Sequence, residues 1–342
     1  MEKCLKTRKK KAETAKQKLF SLSYMDFSRK TVSSGDFIYF PIKDFDKSKI
    51  SKLGTISSKK LPKKIRKPRT ISEILSKKLS KTELTELKTS FDIFGDIILV
   101  EIPENLIKKE KLIGNSFLKL YPNIRAVFKK TGKVSGIERV RPAKRIAGTG
   151  TSEVNYKESG CIFKFDISKV FFTPRLSTER EKIFAKVKPG EIVLDMFAGV
   201  GPFSVIIAKK QPLVEKVYAI DINNTAISYL RENARINKVS DKVEAFVGDS
   251  KTTISKKFKG IADRVIMNLP KTSLNFLPTA LNALKPKGGV LHYYTFKATK
   301  QEVKAEVSAR LKSKKHRILS IRNVKPYAPR EYCFCADIKI YK

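Results

Sequence analysis

Short apolar runs recur through the C-terminal half of the chain, at 191–196, 216–222, 242–248, 262–268 and 289–296, alternating with helical stretches. Strand and helix in that regular order predict a parallel, doubly wound sheet. Two further strand-like runs, 317–324 and 331–341, predict a closing antiparallel hairpin. Upstream the pattern breaks into smaller pieces. Residues 8–20 read as a basic helix ahead of a strand at 36–42. Residues 71–87 have helical spacing, 91–102 read as strands around Gly95 and Asp96, 104–120 as a helix and 124–129 as a strand. A hairpin is expected around Lys157 to Gly160, and no internal repeat interrupts the series. The expected organisation is α/β: a small domain at 1–56, a basic linker at 57–71, a middle α+β domain at 72–172 and a large doubly wound domain at 173–342.

The candidate chemistry sits on the first turn of the large domain. An apolar run enters Asp195-Met-Phe197-Ala-Gly199-Val-Gly201-Pro-Phe-Ser204, and the next strand ends in Asp221-Ile222. Gly199 and Gly201 permit backbone conformations and close ligand approach that a β-carbon forbids. An acid twenty residues further on, at a strand's carboxyl end, is placed to hold a ribose. A dinucleotide fingerprint needs a third glycine, where this chain has Ser204, and Pro202 removes an amide from any pyrophosphate cradle. Asp195 would repel a pyrophosphate, yet it suits a cationic aminoacyl sulfonium. S-adenosyl-L-methionine therefore fits better than a nicotinamide dinucleotide. Asp249, at the end of the third strand, is placed to meet the adenine amino group. After the fourth strand, Asn268-Leu269-Pro270-Lys271 offers an amide to a planar base edge, with Pro270 stiffening the turn. Leu269 and Lys271 stand where enzymes acting on exocyclic amines carry a proline and an aromatic, which argues against such a target.

Charge names the partner class. The chain has 342 residues and a formal net charge of +40, from 73 Lys and Arg against 33 Asp and Glu. Residues 1–70 hold 21 basic and 6 acidic residues, and seven of the eleven from Lys59 to Arg69 are basic. Nucleic acid is the natural polyanion for such a field, since each neutralised phosphate releases counterions. No apolar stretch approaches the roughly 20 residues of a membrane span. The opening Met1-Glu-Lys-Cys-Leu-Lys lacks a signal-peptide core, so a cytoplasmic protein is expected. Four cysteines without a Cys-x-x-Cys pair and two histidines leave no metal site or serine–histidine triad to expect.

These residues resemble the archaeal and eukaryotic tRNA (guanine-37, nitrogen 1) methyltransferases. The matching stretches are Phe172-Thr-Pro-Arg175-Leu-Ser-Thr-Glu179-Arg180, Asp195 to Ser204, Ala219-Ile-Asp221-Ile-Asn223 and Met267-Asn268-Leu-Pro-Lys271. Gly289 to Thr295 and Tyr327-Ala-Pro-Arg330-Glu331 also match, and Phe40-Pro-Ile, Gly95-Asp-Ile and the Arg139-x-Arg141 pair do so more loosely. The resemblance implies a class I (Rossmann-like) methyltransferase domain behind two smaller α+β domains. It implies methyl transfer from S-adenosyl-L-methionine to nitrogen 1 of guanosine 37 in tRNA, with the first domain docked on the tRNA elbow. Glu179 then falls on the general base, worth typically ~10²–10⁴-fold. Its competing reading is helix capping, because Thr178-x-x-Glu181 is a plausible capping box with Glu179 in the first turn. Arg139 falls on the arginine that reaches guanine oxygen 6, and Asn268 on the group that holds the guanine edge or the methionine end. Arg180, Asp195, Phe197, Gly199, Gly201, Asp221, Ile222, Asp249, Ser250, Asn268 and Pro270 fall on cofactor positions.

Three departures bear on substrate handling: Phe171 where relatives have tyrosine, Pro142 to Arg145 in place of an acidic segment, and Tyr156 to Gly160 in the hairpin. Three alternatives stay open at this stage. One is methylation of carbon 7 of 4-demethylwyosine at the same tRNA position, and another is a non-catalytic RNA-binding protein on the same scaffold. The third is a base methyltransferase acting on rRNA or DNA. A jointed enzyme acting on one tRNA suits a monomer.

Overall fold

The computed structural model describes residues 1–64, 68–132, 136, 140 and 142–341. The chain divides into two compact units, Met1–Arg69 and Thr70–Lys342.

The first unit is a four-stranded antiparallel sheet in the order Val32–Ser34, Phe37–Pro41, Glu2–Arg8, Thr55–Lys59. The helix Ala12–Ser21 accompanies it, and Leu5, Ala15, Leu19, Phe40 and Ile50 form its core. Two features differ from expectation. Arg8 ends a strand rather than opening the helix, and a turn at Lys9–Lys11 separates the two. Residues 57–59, expected as linker, are strand, because Ser57, Ser58 and Lys59 pair with Cys4, Lys3 and Glu2. Ile65, Arg66 and Lys67 of the linker lie outside the described residues.

In the second unit, the run expected as one helix at 71–87 is two, Ile71–Leu75 and Lys81–Glu86. Ser80 and Glu83 form a reciprocal capping box that starts the second helix afresh. A four-stranded sheet follows, in the order Phe91–Phe94, Ile97–Val100, Ala126–Lys130, Ala143–Gly148, with the helix Glu110–Leu120 packed on it through Ile113 and Phe117.

The large sheet has seven strands, ordered Val243–Val247, Lys216–Asp221, Ile192–Asp195, Arg264–Met267, Gly289–Lys297, Glu331–Ile340, His316–Ala328. The first five are parallel and the last two antiparallel. Val193, Leu194, Ile220, Val265 and Ile266 are fully buried, as strands covered on both faces require. Because the five strands run the same way, Asp195, Asp221 and the residues after Met267 reach one edge. The order reverses around Ile192–Asp195, which is where open α/β sheets bind ligands.

The hairpin of Glu153–Glu158 and Cys161–Asp166 packs on this sheet's helices. Phe163 and Phe165 share one buried cluster with Val200, Phe203 and Ile227, so a continuous core crosses the boundary expected at 172. Asn233, fully buried on the helix Asn224–Ile236, accepts from the Lys164 amide (2.7 Å) and donates to the Val200 carbonyl (3.0 Å).

Candidate active site

The cleft at the reversal point is built on two positive-φ glycines. Gly199 has φ 54° and Gly201 φ 84°, and Gly201 caps the helix Pro202–Lys210. A β-carbon on Gly201 would lie 2.6 Å from Leu230 Cγ. Asp221 ties this loop to the next strand: its Oδ2 accepts from the Gly199 amide (2.7 Å) and its Oδ1 from the Asn223 amide (2.9 Å). A carboxylate at this strand end is placed where open α/β sheets present an acid to a ribose.

Arg180, Phe197, Gly199, Asp221, Ile222, Asp249, Ser250 and Asn268, all expected as cofactor residues, line this one cleft. Phe197 packs edge-on against Phe276 (4.9 Å), and Ile222 is 37% exposed, which leaves apolar surface on two sides. Asp249 caps the turn Ser250–Thr253 by accepting from the Lys251 amide (2.8 Å), while Ser250 donates to the Met196 carbonyl (2.5 Å). Asn268 enters the cleft from the end of Arg264–Met267, in a turn closed by Ser273 Oγ donating to the Leu269 carbonyl (2.8 Å). Gly201, Pro270 and Asp195, also expected as cofactor residues, are not among the residues that line the cleft.

Asp195 lies beneath the loop, fully buried. Its Oδ2 accepts from Ser204 (2.9 Å), whereas its Oδ1 completes no hydrogen bond among the described residues. Burial pushes its carboxyl up to about 7, against the opposing pulls of the Ser204 hydroxyl and the Phe197 amide. A buried orphan oxygen of this kind is satisfied by a cationic ligand or an ordered water.

Arg180 lines the cleft, but its guanidinium is committed elsewhere. It grips Glu158 through two bonds (2.5 and 2.6 Å) and donates to the Thr173 carbonyl (3.1 Å). Glu179 is not among the residues that line the cleft. It is 4% exposed, and its carboxylate accepts from Tyr294 Oη (2.7 Å) and Arg322 Nε (2.9 Å). The capping box of the competing reading of Glu179 is absent: the helix Ser177–Phe184 begins after Leu176, which offers no side-chain cap. A preceding turn, Pro174–Leu176, starts the coil early on the Thr173 hydroxyl. Glu179 is in the first turn as expected. Arg139 and Arg141 lie outside the described residues.

No local sequence signal marks the partners behind Glu179. Arg322 and Tyr294 come from strands 143 and 115 residues away. The deeper cluster of His292, Cys335 and Asp337 offers three donors within 4.8 Å of one another. Its atoms are already engaged: Arg264 meets His292 Nε2 (2.8 Å), and Arg322 donates to Asp337 (2.7 Å). Burial pushes His292 down, so the neutral ring donates from Nδ1 to Asp337 (2.6 Å) and accepts at Nε2. Two guanidiniums at the same atoms oppose a divalent ion.

Known proteins match along the chain. Residues 154–321 match the TRM5/TYW2 methyltransferase domain, 71–151 the TYW2 N-terminal domain and 4–50 the tRNA methyltransferase 5 N-terminal domain. A Pyrococcus abyssi protein, tRNA (guanine(37)-N(1))-methyltransferase Trm5b, is 38% identical over 97% of each chain. The Trm5b of Methanocaldococcus jannaschii is 38% identical over 99% of each. A solved complex of aTrm5 with tRNALeu superposes with a TM-score of 0.84 at 36% identity, covering 98% of this chain and 99% of that one. Among the described residues, no helix is long and apolar enough to cross a membrane.

Proposed function

The chain belongs to the TRM5/TYW2 methyltransferase family, and on that premise we propose that it transfers a methyl group from S-adenosyl-L-methionine to ring nitrogen 1 of guanosine 37 in tRNA. The observation that carries the reading is the single cleft holding Gly199, Asp221, Asp249 and Asn268, in a chain alike end to end to guanine-37 N1 methyltransferases.

The cofactor fits the residues present. Asp221 suits a ribose diol, Ile222 and Phe197 an adenine face, and Asp249 the adenine amino edge, while Asp195 lies buried beneath the loop. S-adenosyl-L-methionine supplies an electrophilic methyl group on sulfonium sulfur, which keeps the C–S electron pair when the methyl leaves. The chain's own work is to hold guanine and remove its N1 proton. Asn268 presents an amide to the base edge, and Glu179 takes the proton. By the family likeness Arg139 is assigned to the charge that develops on oxygen 6, the kind of charge a donor stabilises in such a transition state.

Glu179→Gln and Asn268→Ala test the assignment. The first lowers kcat by roughly 10²–10⁴-fold. Neither changes tRNA affinity in a filter-binding assay by more than roughly threefold, about 0.6 kcal/mol. Full turnover in Glu179→Gln would remove the base from this residue.

A further inference from the structure

We propose that Arg322, with Tyr294, positions Glu179 so that its Oε2 is the oxygen that accepts the guanine N1 proton. This rests on the reading of Glu179 as the base.

The two carboxylate oxygens are not equivalent. Oε1 accepts from Tyr294 Oη (2.7 Å), Arg322 Nη2 (2.5 Å) and, at longer range, Arg322 Nε (3.1 Å). Among the described residues, Oε2 accepts only from Arg322 Nε (2.9 Å). A carboxylate oxygen has about two acceptor sites, so Oε1 is full and Oε2 keeps one open. The proton leaves N1 for that lone pair, and the N–H electron pair becomes the new N1–methyl bond.

Arg322 is itself held from behind. Its Nη1 donates to Asp337 Oδ2 (2.7 Å) and its Nη2 to Cys335 Sγ (3.1 Å). Asp337 also accepts from Ser320 (2.9 Å), from His292 Nδ1 (2.6 Å) and from Lys186, and Arg264 closes the far end on His292. Strand pairing makes this possible: Tyr294 and Arg322 both register with Cys335, and His292 registers with Asp337. The helix that carries Glu179 thus meets a row of side chains from the last three strands, hydrogen-bonded from one to the next. A guanidinium fork fixes a carboxylate in plane as well as neutralising it, which a lysine does not.

A double-mutant cycle on kcat decides the matter. Arg322→Met is expected to lower kcat by roughly a hundredfold, the scale of a misplaced catalytic group, with KM for tRNA unchanged. Arg322→Lys, which keeps the charge but not the fork, is expected between wild type and Arg322→Met. In the Glu179→Gln background, Arg322→Met is expected to lower kcat no further, because it acts only through that carboxylate. Thermal unfolding identifies folded protein, and Tyr294→Phe, which removes one donor to Oε1, serves as the milder variant should Arg322→Met not fold. Equal losses from Arg322→Met in both backgrounds, or a rise in KM in place of the fall in kcat, would overturn the proposal. Retained kcat in Glu179→Gln alone would instead defeat the assignment of the base.

Discussion

Gly201 shows how one residue decides whether the cleft exists. Its φ is 84°, and Leu230 Cγ lies 2.6 Å from the point where a β-carbon would stand, which leaves no room for alanine. Gly201→Ala should destabilise the protein by roughly 1–3 kcal/mol, read as a lower urea midpoint. Asp195 makes a different prediction at the same scale. Its carboxyl is pushed up to about 7 in the folded protein, against about 3.9 for an unfolded aspartate. Between those values the folded state holds a proton that the unfolded state has lost, so this residue's contribution falls as pH rises. The slope is up to roughly 1.4 kcal/mol per pH unit, ending once pH passes 7. Urea unfolding of wild type and Asp195→Asn from pH 5 to 8 measures it as their difference, which should shrink up to pH 7 and then level. A pH-independent difference would show that Asp195 is ionised throughout. The glycines and the acids at strand ends were legible because local geometry demands those residue types. Arg322 was not, because nothing near it in sequence separates a strand arginine in solvent from one clamped on Glu179.

At the scale of elements, apolar runs gave the five parallel strands to within two residues at either end, since strands buried on both faces carry an uninterrupted signal. The strand Glu2–Arg8 gave none: Cys4 and Leu5 are its only apolar residues, and its inward Thr7 is polar. The helix at Ser177–Phe184 started a step earlier than its Thr and Glu suggested, because a prolyl turn supplied the nucleus. The hairpin Glu153–Asp166 depends on another element's side chain in a way that can be measured. Asn233→Ala strips partners from the part-buried Lys164 amide and the buried Val200 carbonyl. The expected loss is roughly 1–3 kcal/mol by urea unfolding. A loss under about 0.5 kcal/mol would mean that the hairpin holds without this tie.

Over the whole molecule, the net charge of +40 has a direct consequence for substrate binding. Affinity for tRNA should fall steeply with salt, by roughly 10³-fold between about 50 and 200 mM if six or more phosphates are neutralised. Cofactor affinity, assigned in the proposed function to a cleft lined by Asp221, Ile222 and Asp249, should change little over that range. The composition foretold a polyanion, the strand-end acids a nucleoside cofactor, and the resemblance a particular base. The central claim is that last step, the choice of nitrogen 1 of guanosine 37. It is tested by methyl transfer from labelled S-adenosyl-L-methionine to an unmodified tRNA transcript with guanosine at position 37, beside one with adenosine there, the products mapped by nuclease digestion and mass spectrometry. 1-Methylguanosine is expected in the first transcript and no label in the second. Label in the adenosine transcript, or at another position of the guanosine one, would contradict it.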